Sequence, residues 1–327
     1  MGSQMKHSLM SDSGPALPVP STDKVAILLS TYNGAAYLAE QLDSLIAQTH
    51  ENWQIYASDD GSQDHTLEVL KHYQHQLGDD RLTLLTGPHC GFAANFLGLL
   101  RHREIRAQYY AFCDQDDLWN PDRLELGVRW ARSISPERPA LYCSRTQIVD
   151  AQGYPLGLSP LFNETPCFKN ALVQSIAGGN TMLFNNAARE LLQCTPPNAR
   201  IISHDWWTYI LVSGCGGQVF YNPEPTIRYR QHNHNLMGTN ASLRSRLKRL
   251  SYLLAGTFRE WNAANLRALL PFHSRLTHEN RETLELFEQA RHASLLQRAR
   301  LVQRSGVHRQ TLPGNLGLVA ATLLQRI

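Results

Sequence analysis

Four times between residues 25 and 114 a short apolar run gives way to a segment of helical period, and each run ends in polar residues. The runs are VAILLST (25–31), WQIYASD (53–59), LTLLTG (82–87) and QYYAFCD (108–114). Between them Tyr37, Leu38, Leu42, Leu45 and Ile46 recur at helical spacing, followed later by DHTLEVLKHYQHQ and NFLGLLRHR. Unbroken apolar strands joined by helices predict a mainly parallel sheet with helices on both faces, a Rossmann-like α/β fold. Such sheets bind ligands outside the carboxyl ends of their strands. The ends STYNG, SDDGSQD, TGPHCG and DQDD all fall on that edge, which is therefore the predicted site.

After Pro121 a helix is expected to about Ser133, then the strand ALYCSRTQIVD and an irregular stretch to about Thr165. GGNTMLFN reads as a strand, HDWWTYILVSG as a helix and TIRYRQH as a returning strand. Beyond Gly238 basic helical segments begin, which places a boundary near residue 240. Residues 1–23, rich in Ser and Pro and without an apolar core, read as a disordered leader. The chain of 327 residues, 43% hydrophobic, is long enough for a large core. No run is apolar and long enough for a transmembrane helix, so a cytoplasmic location is expected. Six cysteines without a close pair argue against zinc and for a reducing compartment. Residues 241–327 hold 14 Lys and Arg against 5 Asp and Glu, leaving 17 against 23 in the first 240. Acidic chemistry thus belongs to the first part and a basic surface to the second.

FCDQDDLW (112–119) crowds three carboxylates at a strand end, which destabilises their ionised forms unless a cation offsets them. Asp114 and Asp116, one residue apart, suit a hard divalent cation completed by water and phosphate oxygens. The competing reading is a helix start with Asn120 as N-cap and Pro121 at the first helical position. Asp114 and Asp116 lie too far upstream to cap that helix, whereas Asp117 fits capping or support of its neighbours. In SDDGSQDHT (58–66), Asp59 and Asp60 end a strand and Asp64 is placed to cap the next helix; alone this is an ordinary turn. Beside STYNG it also offers an aromatic face at Tyr32 and a carboxylate at Asp59 that could accept from a pyrimidine imide N–H.

The order and spacing of STYNG, the 37–66 segment, GFAANF and FCDQDDLWNPDRLE resemble the nucleotide-sugar half of glycosyltransferase family 2, inverting enzymes with a GT-A fold. The resemblance covers about Lys24 to His234. It implies a GT-A domain over 24–240, with a nucleotide-sugar half (24–120) and an acceptor half (121–240), plus a C-terminal helical region over 241–327. FCDQDD with YRQH looks most like a bacterial rhamnosyltransferase branch that decorates lipopolysaccharide or O-antigen.

Carried over by position, Ser30, Tyr32 and Asp59 match base-binding residues, and Asp114 and Asp116 match the D-x-D that holds Mg2+ or Mn2+ against the diphosphate. Gly91 and Asn95 match the lining of the nucleotide-sugar pocket. Gly178, Gly179 and Asn180 match an acceptor-side loop, for which a simple turn is the other reading. In SHDWW the family's usual acidic residue is replaced by His204, but Asp205 is present and fits the general base, with helix capping as the alternative. Trp206 and Trp207 are candidates for an acceptor wall or for core. His232 matches a histidine near metal and diphosphate better than His234, and Arg230 is a candidate phosphate partner or a solvated strand residue.

Leu243, Leu247, Leu250 and Leu254, interleaved with Arg244, Lys248 and Arg249, suit either an interfacial helix on an anionic inner leaflet or a packing helix. The expected reaction moves L-rhamnose from dTDP-rhamnose, or a hexose from a UDP-sugar, to a glycan or lipid-linked glycan, with no nucleic-acid partner. A nucleotidyltransferase would need a Gly-rich basic loop where STYNG stands. A non-catalytic binding module would not need Asp205.

Overall fold

The structure, a computed structural model, describes residues 23–232 and 256–327. Residues 1–22 of the leader, the boundary near 240, His234 and the Leu243–Leu254 segment lie outside the described residues.

The first half follows the apolar runs closely. Strands β1 (Val25–Thr31), β2 (Trp53–Asp59), β3 (Leu82–Thr86) and β4 (Tyr109–Cys113) alternate with helices α1 (Ala35–Ile46), α2 (Thr66–Leu77) and α3 (Phe92–Arg101). All their pairings are parallel, in the order β3-β2-β1-β4. Both faces of β1 are buried. Ala26 and Leu28 join a cluster with α3 and the later helices, while Val25, Ile27 and Leu29 join a second with α1 and α2. Each fully buried Val, Leu or Ile among them contributes about 1.5–3 kcal/mol, and burial on both faces fixes the strand register.

Beyond β4 come β5 (Leu118–Trp119), α4 (Arg123–Ala131), β6 (Ala140–Val149), β7 (Pro155–Leu158), α5 (Phe168–Ala171), β8 (Leu183–Asn185), α6 (Asn186–Gln193), α7 (His204–Gly214) and β9 (Gln218–Arg230). The sheet continues β4-β8-β6-β9-β5, with β7 paired to β6. Here β9 is parallel to β6, while β8 is antiparallel to both of its neighbours, so this half is mixed. Of GGNTMLFN only Leu183–Asn185 is strand; Gly179–Thr181 is a 3-10 turn. Asn120 does not cap α4. Its side chain instead donates to Pro225 O at 3.1 Å and its N–H to Thr226 O at 3.0 Å, pinning β5 against β9.

Helices α8 (Thr257–Leu269), α9 (His278–His292), α10 (Leu295–Ser305) and α11 (Leu312–Leu323) complete the described chain. They share the main core. Leu269, Phe272, Leu284, Phe287 and Ile327 belong to the same buried cluster as Phe96, Phe112 and Trp207. Among the described residues no helix is long and apolar enough to cross a membrane.

Candidate active site

The sheet order reverses between β1 and β4: β2 and β3 lie on one side of β1 and β4 on the other. A crevice opens at such a point beyond the strand ends. β1 leads into Tyr32, whose side chain is exposed, and β4 leads into Asp114–Asp117. Gln115 spans the crevice. Its Oε1 accepts from Tyr32 N at 2.8 Å and its Nε2 donates to Tyr32 O at 2.9 Å. A Cβ at Gly34 would lie 2.2 Å from Gln115 Oε1, so the glycine of STYNG makes room for this brace.

The three carboxylates of DQDD take different positions. Asp117 is fully buried and accepts from Asn180 Nδ2 and, at 3.1 Å, from Arg230 N. Burial, then the charges of Asp116 and Asp114, raise its pKa well above the carboxylate range. Asp116 Oδ2 lies 2.8 Å from His232 Nε2, and the imidazole stacks on Tyr37 at 4.7 Å. The Asp114 carboxylate accepts no hydrogen bond from the described residues, although its backbone O accepts from Cys113 Sγ at 3.3 Å. Burial, then the charges of Asp116 and Asp205, push its pKa up to about 8. Asp114, Asp116 and Asp205 therefore share one field although Asp205 starts a helix some 90 positions later.

Two buried arginines, not singled out as counterions by the sequence reading, support this cluster. Arg123 lies over the Trp119 ring at 3.5 Å and donates to Asn180 O at 2.6 Å and Met182 O at 3.3 Å. Burial lowers its pKa to about 10, still leaving a cation at neutral pH. Arg230 is 1% exposed, neither solvated nor open to phosphate. It donates to Asp116 O, Ala151 O and Glu40 Oε2 at 3.0, 2.7 and 2.7 Å. Local periodicity gave no signal for either residue, since each meets its partners through long-range pairing.

Asp59 contrasts with Asp114. It is 5% exposed and accepts from Thr31 Oγ1, Gly61 N, Ser62 N and Ser62 Oγ at 2.6–3.1 Å. A carboxylate has about four lone-pair sites. All are occupied by its own turn and by Thr31 of β1, so Asp59 has no free acceptor for a base, correcting the imide expectation. Asn95 is fully buried and braces the pocket wall instead of lining it: Nδ2 donates to Ser30 Oγ and Ser58 O, both at 2.8 Å. Asp60 holds the adjoining loop through His89 N and Gly91 N, both at 2.7 Å. Gly91, at φ +87°, starts α3 in a conformation that favours glycine.

The acceptor-side residues separate sharply. Asp205, partly exposed in the first turn of α7, accepts from Trp206 N at 2.6 Å. The two tryptophans are core residues, not an acceptor wall. Trp206 donates to Ala171 O and Trp207 to Thr195 Oγ1, and both are buried because α7 runs through the interior. His204 is likewise buried, stacked on Phe96 at 3.9 Å with Phe112 edge-on at 4.6 Å. Among the described residues neither ring nitrogen has a partner, and burial lowers its pKa to about 4. His204 thus cannot touch an acceptor. A Cβ at Gly179 would lie 2.1 Å from His204 Nε2, which explains a glycine there, and Asn180 is buried against Asp117 and not offered to a ligand. A Cβ at Gly178 would lie 2.7 Å from Asn180 Oδ1.

Among the described residues no three His, Cys, Asp or Glu side chains converge as a closed metal cage. Mg2+ is typically held by one or two carboxylates, with water and substrate phosphate completing the shell. Asp114, whose carboxylate accepts no hydrogen bond, and Asp116 beside His232 fit that open pattern, and the charge crowded on Asp114 is of the sign a cation relieves.

The family model for Glycosyl transferase family 2 matches residues 26–192. The chain is 28% identical over 234 residues to the dTDP-rhamnosyl transferase RfbG of Shigella flexneri, covering 68% of this chain and 78% of that protein. It is 24% identical over 236 residues to an uncharacterised glycosyltransferase, RT0329, of Rickettsia typhi, covering 66% of each. Among solved structures it is similar to S. aureus TarS 1–349 in complex with UDP-GlcNAc, with a TM-score of 0.51, 15% identity and coverage of 86% and 89%. It is also similar to the mannosyltransferase PcManGT from Pyrobaculum calidifontis in complex with GDP-Man and Mn2+, with a TM-score of 0.51, 18% identity and coverage of 95% and 88%. At these identities the structural likeness is one of fold, a mixed α/β GT-A architecture.

Proposed function

The chain belongs to glycosyltransferase family 2, and from that premise we propose a metal-dependent inverting transfer of L-rhamnose from dTDP-L-rhamnose to a hydroxyl of a bacterial surface glycan of the lipopolysaccharide or O-antigen kind. The observation that carries this reading is the Asp114 carboxylate, which accepts no hydrogen bond from the described residues and shares the β1–β4 crevice with the charges of Asp116 and Asp205. Asp114 and Asp116 are the residues that would hold Mg2+ or Mn2+, with His232 beside Asp116 as a further candidate, and the ion when bound would neutralise charge on the leaving diphosphate. Ser30, Tyr32 and Gly91 border the nucleotide side. Asp205 takes the proton of the acceptor hydroxyl as its oxygen attacks C1 and the C1–O bond to the diphosphate breaks. The electron pair of that bond leaves with the nucleoside diphosphate. No covalent sugar–enzyme intermediate forms.

The rhamnosyl donor is supported by the similarity to the Shigella dTDP-rhamnosyl transferase. A lipid-linked acceptor at an anionic membrane surface is supported by the basic excess of residues 241–327. The test is a donor panel with Mn2+: dTDP-rhamnose, UDP-glucose, UDP-galactose, UDP-N-acetylglucosamine and GDP-mannose, read by binding and by release of nucleoside diphosphate. dTDP-rhamnose is expected to bind tightest and to be hydrolysed slowly without acceptor. Preference for a UDP-sugar would reassign the donor within the same site, whereas binding without any turnover would make this a sugar-nucleotide-binding module.

A further inference from the structure

The C-terminal helices enclose a second concave site that contributes nothing to the carboxylate group. α8, α9 and α10 line a groove of about 1030 Å3, at the upper end of the roughly 300–1,000 Å3 typical of small-molecule sites. Its floor is apolar, formed by Ala263, Leu266, Leu270 and Leu301. Its charge is one-sided: Arg267, Arg291, Arg300 and Arg304 line it, with Glu288 the one carboxylate. None of these four arginines makes an ion pair among the described residues.

Arg291 is the built element. It is 9% exposed, its Nη2 donates to Arg259 O at 3.1 Å, and its buried Nη1 has no partner among the described residues. A buried cationic donor without an acceptor is unfavourable, and three further guanidiniums around the same groove add repulsion. An anion in the groove would relieve both. Guanidinium forks match phosphate oxygens in pairs, and the floor would meet a hydrocarbon attached to that phosphate. A bare phosphate would leave the apolar floor, including half-exposed Leu270, in contact with water.

We propose that the groove between α8, α9 and α10 binds the phosphate group of an amphiphile, with the four arginines on the phosphate and Leu266, Leu270 and Leu301 against the first carbons of its chain. The site is separate from donor binding, so its loss and loss of transferase chemistry are distinguishable.

The test uses the full chain and titration calorimetry with dioctanoyl phosphatidic acid below its micelle concentration, dioctanoyl phosphatidylcholine, inorganic phosphate and a polyglutamate peptide. Phosphatidic acid is expected to bind at least tenfold more tightly than the other three and to weaken with added salt. Arg300→Gln/Arg304→Gln, at exposed positions without ion pairs, should lower that affinity at least tenfold with an unchanged melting temperature and donor affinity. Arg291→Gln should do the same, and the double variant decides if Arg291→Gln fails to fold. The proposal falls if inorganic phosphate binds as tightly as the lipid, if the peptide does, if nothing binds, or if the double variant binds as wild type does.

Discussion

Replacing Asp114 by Asn changes charge and leaves shape nearly untouched, so it isolates the energy held in the carboxylate group. In the metal-free protein the carboxyl is raised from 3.8 to about 8, which corresponds to roughly 5–6 kcal/mol against its ionised form. That figure is a ceiling, because the buried Asp117 carboxyl beside Asp114 can hold the proton instead. The sign is fixed by linkage. Between about pH 4 and pH 8 the unfolded chain releases a proton that the native state keeps, so this group's contribution to stability falls as pH rises through that window. Asn does not titrate and escapes the penalty. If about 2 kcal/mol survives relaxation, the variant should melt about 4–8 °C above wild type at pH 7.5, at 2–4 °C per kcal/mol. The gap should close near pH 4. The assay is thermal melting in chelator across that range, paired with Mn2+-dependent binding of dTDP, which the variant should lose. Melting at or below wild type at pH 7.5 would mean that Asp114 already has a stabilising partner, and the cation argument would fail with it.

Asp205→Asn should leave donor affinity intact and lower transfer by roughly a hundredfold or more; near wild-type turnover would place the base elsewhere, and buried His204 could not supply it. Asp59→Ala strands the N–H groups of Gly61 and Ser62, at about 1–3 kcal/mol each where they stay buried. It should therefore weaken dTDP and GDP alike, and a selective loss of dTDP in calorimetry would restore Asp59 to base reading. His204, held neutral down to about 4, contributes stability that is complete above pH 6.5 and is lost as pH falls toward 4. His204→Leu should flatten that acid limb in denaturant titrations, and an unchanged limb would show that the ring is hydrated.

How far the sequence reaches depends on the range of the interaction that decides each feature. β1 and α7 were read to their end residues because a strand-length apolar run and a helix-length, largely apolar segment are local patterns. β7, whose residues are all exposed, and two-residue β5 have no such pattern and are strands only because β6 and β9 lie beside them. The crowding of Asp114, Asp116 and Asp117 was legible in the sequence, whereas Asp205 was reached only through the family resemblance. What could not be read was exposure: Trp206, Trp207 and His204 start a helix that looks ready to face a ligand, yet Phe96 and Phe112 cover His204 and the C-terminal segment packs on the two tryptophans. Likewise nothing local says that the hydrogen-bonding capacity of Asp59 is full while that of Asp114 is open.

β9 runs alongside β6 from Gln218 to Arg230 and then meets β5, delivering His232 to Asp116 across 116 positions of chain. On the ribosome this is a matter of timing. The four parallel strands and both carboxylates of the D-x-D are made by residue 116, but Arg230 and His232 reach them only after more than a hundred further residues have emerged, at about 5–20 residues per second. For several seconds the nascent sheet holds a like-charged cluster without its guanidinium brace or its imidazole. Late pairing of β9 therefore sets the moment at which Asp116 and Asp117 first meet Arg230 and His232.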